Sequence, residues 1–250
     1  MKIAIIGYGR MGRLIEEVAE NRGHTISCII DVETLGAFSS KEFRESDVAI
    51  EFTAPSGAVG GILASFAAGV PVVSGTTGWN DSMDEVKEMC LKSGGALLYS
   101  SNFSIGMNIF MALNRRLASV MNDFPQYEPS LEETHHIHKL DHPSGTALTL
   151  AAQIIDKHNA TKGWVEIEDG REPKESILPI KARREGEING IHTVSWTSPY
   201  DCVSMTHEAF NRVAFAEGAV RAAEWLKGKK GFFTIGDMLG DVTGIKGLFE

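Results

Sequence analysis

A chain of 250 residues, 43% hydrophobic and 23% charged, is long enough to bury a sizeable core as one large domain or two small ones. Its formal net charge of −9 leaves no basic surplus to displace counterions from a phosphate backbone. That excludes a general nucleic-acid binder but leaves a small anionic ligand open, since local basic spots can still form.

The first strand is expected at Lys2–Ile6, which leaves no room for a signal peptide. Further compact apolar runs fall at Thr25–Ile30, Val48–Phe52, Val70–Ser74 and Ala96–Ser100. Cys28, among Ile26, Ile29 and Ile30, reads as a buried apolar residue. Near-continuous hydrophobicity is the pattern of strands buried on both faces of a parallel sheet. Between them, Met11–Asn21 places Leu14, Ile15, Val18 and Ala19 on one helical face, and Ser56–Ala68 and Asp81–Lys92 are similar. The alternation predicts a doubly wound α/β domain. The most apolar stretch, Val59–Val73, is broken by Gly60, Gly61, Gly69 and Pro71 and is shorter than the ~20 residues of a membrane span. Cys28, Cys90 and Cys202 are an odd, scattered set without metal-ligand spacing, which suits a reducing cytoplasm.

Beyond Ser100 the pattern changes. A helix is expected over Met107–Met121 with Ile109, Leu113, Leu117 and Val120 or Met121 on one side. Another is expected over Gly145–His158 with Leu148, Ala151, Ile154 and Ile155 inward. Trp164–Met205 is strand-like, and Ile191–Trp196 and Asp201–Met205 follow each other without a helix between. This is α+β behaviour, so a second domain begins near Ser104. The tail is helical over Phe215–Leu226 and then Gly-rich, with Phe232, Phe233 and Ile235.

Gly7-Tyr8-Gly9-Arg10-Met11-Gly12 is G-x-G-x-x-G between a strand and a helix. In that position glycines permit a tight turn and close approach of N–H groups to a pyrophosphate, helped by the helix N-terminus. Asp31 ends the second strand, nineteen residues beyond Gly12, where a carboxylate can bond a ribose 2′-hydroxyl. Asp31 favours NADH, whereas Arg10 and Arg13 can offset repulsion of a 2′-phosphate, so NADH, NADPH or both are expected. Gly75-Thr76-Thr77-Gly78 and Ser100-Ser101-Asn102-Phe103 follow the fourth and fifth strands, whose carboxyl ends line the ligand crevice.

Four of the eight histidines lie within His135–His142, beside Lys139, Asp141 and a helix start. If Glu132–Leu140 is extended, His135 and Ile137 point one way and His136 and His138 the other. Histidine exchanges a proton near neutrality, and Lys139 can be a cationic acid or an anion anchor. Ser144 is a natural N-cap, and the N–H groups of Gly145 and Thr146, two hydroxyls and Lys139 would cradle a carboxylate. A metal at His136 and His138, or His138 and His142, lacks a completing ligand and would face Lys139, so none is expected.

The run Glu-x-His-His-x-x-Lys-x-Asp-x-Pro-Ser-Gly-Thr-Ala resembles the signature of the dihydrodipicolinate reductase family. Gly75–Gly78, Asn102-Phe103-Ser104, Gly190-x-His192-Thr193-Val194, Thr206-His207 and Arg212-x-x-Phe215-Ala216-x-Gly218-Ala219 also match, so the resemblance spans essentially the whole chain. It implies His135 as proton donor and acceptor and Lys139 as second proton donor. It implies His136, Ser144, Gly145, Thr146 and Arg212 as holders of the substrate carboxylates. The implied reaction is NAD(P)H-dependent reduction of a cyclic dicarboxylic imine to tetrahydrodipicolinate, in the diaminopimelate route to lysine. The family's fold implies a Rossmann-type dinucleotide domain of residues 1–103 and 213–250. Residues 104–212 would form an α+β domain with a mixed sheet, which binds substrate and builds a homotetramer. His142 stands where members often have a small residue, and Val32 where some have a basic one. The segment from Ile30 to Val48 is shorter than in many members. An amino-acid or amine dehydrogenase would need an ammonium site, which Lys139 and Arg212 oppose. A dinucleotide-sensing regulator would be expected to lack His135 or Lys139, and both are present.

Overall fold

The computed structural model describes residues 1–168 and 175–249. Of the strand-like run Trp164–Met205, residues 169–174 lie outside the described residues. The chain divides into two compact units, Met1–Ile105 with Val213–Glu250, and Gly106–Arg212.

The order begins β1 (Lys2–Ile6), α1 (Arg10–Asn21), β2 (Thr25–Ile30), a 3-10 turn at Leu35–Ser39 and the short α2 (Lys41–Arg44). It continues with β3 (Val48–Glu51), α3 (Pro55–Ala68), β4 (Val72–Ser74), α4 (Met83–Ser93), β5 (Ala96–Tyr99) and α5 (Ile105–Met121). Then come β6 (Glu128–His135), α6 (Gly145–Lys157), β7 (Gly163–Glu166), β8 (Ile177–Arg184), β9 (Ile191–Thr197) and β10 (Cys202–Glu208). The chain closes with α7 (Val213–Leu226), β11 (Gly231–Thr234), α8 (Ile235–Thr243) and α9 (Lys246–Phe249). Strand β4 starts at Val72 rather than Val70, because Pro71 has no N–H to give a ladder. Helix α3 starts on Pro55, whose missing N–H costs nothing in a first turn.

In the first unit all strand pairs are parallel, in the order β11-β5-β4-β3-β1-β2. The order reverses between β1 and β3, which opens a crevice at the carboxyl ends of those strands. Core residues lie on both sides of the sheet, one set including Ile5, Ile50, Leu98 and Ala219, the other Ile6, Ala49, Leu97 and Ile62. Small residues let α7 approach closely: a Cβ at Gly218 would lie 1.7 Å from the Phe103 carbonyl oxygen. Cys28 is half-buried rather than buried, because β2 is an edge strand.

The second unit is a mixed five-stranded sheet, β10-β9-β6-β8-β7, with antiparallel β10–β9–β6 and parallel β6–β8–β7. Its core joins Leu131, Ile180, Val194 and Trp196 of the sheet to residues of α5 and α6. The inward face of α5 is Met107, Phe110, Asn114, Ala118 and Met121, while Ile109, Leu113 and Val120 are exposed. The expected face was therefore displaced: Asn114, apolar-poor on any scale, is buried because its amide bonds the Leu150 carbonyl at 3.1 Å. Helix α6 turns Ala147, Leu150, Ala151 and Ile154 inward, leaving Leu148 and Ile155 half-buried. Among the described residues no helix is long and apolar enough to cross a membrane.

Candidate active site

The glycine loop after β1 divides its labour. Gly7 has φ +88°, and a Cβ there would lie 2.3 Å from the Phe52 carbonyl oxygen. At Gly12 a Cβ would lie 2.2 Å from the Gly7 carbonyl oxygen, so this glycine serves helix packing. Gly9, the N-cap of α1, has nothing within 4 Å of an added Cβ, and the first helical turn holds no acid. Open backbone at an uncapped helix start fits a pyrophosphate. A cavity of about 370 Å³ lies there, lined by Gly9–Met11, Phe52, Thr53, Pro55 and Gly75–Thr77.

The other expected cofactor residues are placed unequally. The Tyr8 hydroxyl bonds Glu16, and Arg13 lies 4.7 Å over its ring, so this side chain folds back on α1. Asp31 Oδ1 accepts the Val32 N–H at 2.9 Å, in a loop whose Val32 is 81% exposed and brings no cation. Thr76 is buried and its hydroxyl donates to Glu51 at 2.6 Å, leaving Thr77 the exposed member of that turn. Ser100 donates to the Asn102 carbonyl at 2.7 Å, Ser101 is exposed, and Phe103 is a core side chain tilted against Phe52. These four residues do not line the cavity.

In the second unit, β6 carries Glu133 and ends at His135, and both are buried. Backbone bonds to the chain after β8 continue past it, from the Glu185 N–H to the His135 carbonyl at 2.7 Å and from the Ile137 N–H to the Gly186 carbonyl at 3.1 Å, before a turn in which the Lys139 N–H bonds the His136 carbonyl at 3.2 Å. The His136 and His138 rings lie 5.9 Å apart, as expected of residues on one side, while the His135 ring packs at 5.0 Å on His192. Arg184 pins that loop, donating from Nε to the Lys139 carbonyl at 3.3 Å and from Nη2 to the Asp141 carbonyl.

Glu133 organises the site, and nothing in the sequence singled it out beyond its place in a signature. Oε1 accepts the Ser144 N–H at 2.9 Å and Arg184 Nη2 at 3.3 Å. Oε2 lies 3.4 Å from His135 Nδ1 and 3.5 Å from His192 Nε2, and His192 Nε2 is 3.3 Å from Ser144 Oγ. Burial opposes this carboxylate's charge, but bonds from His192 and Ser144 and the nearby His135 hold its pKa at about 2. For His135, burial pushes the pKa down to about 4; Glu133 raises it, while His192, Lys139 and Arg184 lower it. The imidazole is therefore neutral at pH 7, with Nδ1 toward Glu133. Gly190 seats the opposite edge, since a Cβ there would lie 2.9 Å from His135 Nε2.

Ser144 caps α6, its Oγ accepting the Ala147 N–H at 3.1 Å. Gly145 is exposed and Thr146 half-buried at the helix start. Lys139 Nζ pairs with Asp141 at 2.8 Å, and Asp141 is held below the usual carboxylate range chiefly by that ammonium and in smaller part by the Gly145 N–H. An internal carboxylate thus already sits against the cation and helix-start donor expected to hold an anion. His136 is half-buried with Nδ1 unpartnered. Arg212 is exposed and makes no ion pair among the described residues. His138 pairs with Glu187 at 3.2 Å and His142 with Glu166. Glu133, His135 and His192 put three ligating atoms within 4.8 Å, but Arg184 already answers the Glu133 charge.

Models of dihydrodipicolinate reductase match the chain, the N-terminal one over residues 1–103 and the C-terminal one over residues 106–239. The 4-hydroxy-tetrahydrodipicolinate reductase of Christiangramia forsetii is 45% identical over 242 residues, 97% of this chain and 99% of that one. That of Archaeoglobus fulgidus is 34% identical over 96% of this chain and all of its own. A dipicolinate-bound dihydrodipicolinate reductase from Paenisporosarcina superposes with a TM-score of 0.73 at 19% identity, covering 94% of this chain and 97% of its own, a likeness of fold.

Proposed function

The chain belongs to the dihydrodipicolinate reductase family, and we propose that the Glu133-anchored His135 and Lys139 manage protons in its reaction. It is an NAD(P)H-dependent oxidoreductase of the diaminopimelate route to lysine, reducing (hydroxy)dihydrodipicolinate to tetrahydrodipicolinate. When bound, the reduced nicotinamide supplies the hydride. The N–H groups of Gly9–Met11 would hold the pyrophosphate, Asp31 the adenosine ribose, and the Gly75–Thr77 turn the nicotinamide end. The turn Ser100–Phe103 would contribute through its backbone, as its side chains are self-bonded or in the core.

The substrate is a cyclic imine with two carboxylates. His136, Ser144 with the N–H groups of Gly145 and Thr146, and Arg212 would hold those carboxylates. Hydride addition leaves an electron-rich enamine, which needs a positioned acid. Lys139 is the cation at hand; the neutral His135 would accept or relay a proton through Nε2, with the Glu133 carboxylate 3.4 Å from its Nδ1. The observation that carries this reading is the fully buried Glu133 carboxylate, which ties His135, His192, Arg184 and the α6 cap into one arrangement. The test is NADH or NADPH oxidation with enzymatically generated hydroxytetrahydrodipicolinate. Turnover is expected; intact cofactor binding without turnover would favour a dinucleotide sensor.

Both dinucleotides are proposed as cofactors, with Asp31 tilting the choice toward NADH. Asp31→Ala should weaken NADH about tenfold, the worth of one hydrogen bond to a charged group, and NADPH much less. Equal responses in the two KM values would remove Asp31 from ribose recognition. A cytoplasmic homotetramer is proposed through the sheet face away from α5 and α6. That face presents a hydroxyl ladder, Thr193–Thr206 at 2.9 Å and Ser195–Ser204 at 2.8 Å.

A further inference from the structure

We infer that Glu51, at the carboxyl end of β3, is a positioning residue that sets the cofactor affinity of the crevice through the Thr53 and Gly75–Thr77 turns. The inference rests on the cofactor reading given above for that crevice. Strand β3 is Val-Ala-Ile-Glu with all four residues buried, and it lies between β1 and β4 in the middle of the sheet. A fully buried carboxylate in such a strand is costly unless its oxygens are satisfied.

Here they are. Oε1 accepts the Thr53 N–H at 2.8 Å, the Thr53 hydroxyl at 2.6 Å and the Thr76 hydroxyl at 2.6 Å. Oε2 accepts the Ser74 hydroxyl at 2.5 Å. The Thr53 N–H also reaches the Thr76 hydroxyl oxygen at 2.8 Å, closing the network. One carboxylate therefore gathers donors from the end of β3, from β4 and from the turn after β4.

Both turns line the cavity, through Phe52, Thr53, Gly75, Thr76 and Thr77. The hydroxyls of Thr53 and Thr76 are spent on Glu51, so their hydrogens are not available to a dinucleotide. What they contribute to binding is the placement of the main chain and of Thr77. The fit leaves little slack: a Cβ at Gly75 would lie 2.1 Å from the Phe52 ring, so the turn rests flush on that ring. With the hydroxyl links cut, the turn keeps its apolar seat and loses what fixes its register against β3. A core carboxylate that served stability alone would change the melting temperature and leave the affinity of folded protein intact.

The experiment titrates NADH and NADPH onto the full chain by fluorescence and measures steady-state constants with the authentic substrate. Glu51→Leu removes the acceptor shared by the Thr53, Ser74 and Thr76 hydroxyls and leaves the Thr53 N–H only its bond to Thr76, and should raise the dinucleotide Kd about tenfold or more, with the substrate KM changed less than about twofold. Glu51→Gln keeps one acceptor oxygen and an amide that can face Ser74, and should raise Kd only about threefold. Thr76→Val should also weaken binding, and its effect should be smaller in the Glu51→Gln background than alone. A Glu51→Leu chain that melts earlier yet binds both dinucleotides within about twofold of the parent overturns the inference. If that chain does not fold, additive or absent effects in the Glu51→Gln and Thr76→Val pair overturn it instead. A parent chain that binds neither dinucleotide defeats the cofactor reading itself, and this inference with it.

Discussion

Lys139→Ala is expected to lower kcat about a hundredfold or more while the NADH Kd stays within about twofold, because a positioned general acid contributes roughly 10²–10⁴. The expectation follows from the surroundings of the two candidates. Burial holds His135 at about 4, so at neutral pH its imidazole carries no spare proton. Lys139, 23% exposed at its side chain and fixed through its carbonyl by Arg184, carries the ammonium group of the loop, paired with Asp141 at 2.8 Å. Lys139→Arg separates charge from proton transfer. A guanidinium keeps the positive charge but does not give up its proton, so substrate KM should recover while kcat does not. Single-turnover rates on purified variants check this. An unchanged rate in Lys139→Ala would place the acid elsewhere in the loop.

The division of the chain was legible because its two halves differ in period. Runs such as Ile3–Ile6 and Val48–Ile50 are apolar throughout, as a sheet covered on both faces requires, whereas β9 alternates buried His192, Val194 and Trp196 with more exposed neighbours. The glycine loop was legible because its chemistry is local. Glu133, Arg184 and His192 were not, since they lie on three strands and meet only through the β6–β8 and β6–β9 registers. Glu51 was hidden for a related reason: its donors are 2, 23 and 25 residues away, and in sequence it looks like the polar end of a strand. Apolar periodicity failed on α5, where a buried asparagine displaced the inward face. His142 gave no signal, because its partner Glu166 sits on a strand whose pairing is non-local. The resemblance assigned roles that periodicity could not, but it carried no account of why His135 is neutral.

The same cluster should make the fold acid-labile in two steps. His135 falls from 6.5 to about 4 on folding, so its neutral form stabilises the fold fully above pH 6.5, and that contribution is lost as pH drops toward 4. Glu133 falls from 4.5 to about 2, so its contribution is complete above pH 4.5 and is lost as pH drops toward 2. At 1.36 kcal/mol per unit each shift is worth about 3 kcal/mol, and because the groups face each other the two do not simply add. Other carboxylates held low, such as Asp201 and Asp241, are surface groups whose pairs contribute little. The net charge of −9 works the other way, since titration toward neutrality relieves repulsion, but those charges are solvent-screened and the buried pair is not. Urea unfolding should therefore show stability falling by about 3 kcal/mol or more between pH 7 and pH 3, a large part of what a domain has. In Glu133→Gln the chain should start less stable at pH 7, because Arg184 and His192 lose their anion. Its stability should still decline below pH 6.5 as His135 titrates, over a window reaching lower than in the parent because the Glu133 anion no longer raises that pKa, but it should lack the added fall that Glu133 protonation gives the parent below pH 4.5. Parallel curves for the two proteins below pH 4.5 would mean that Glu133 is not the group whose protonation opens the site.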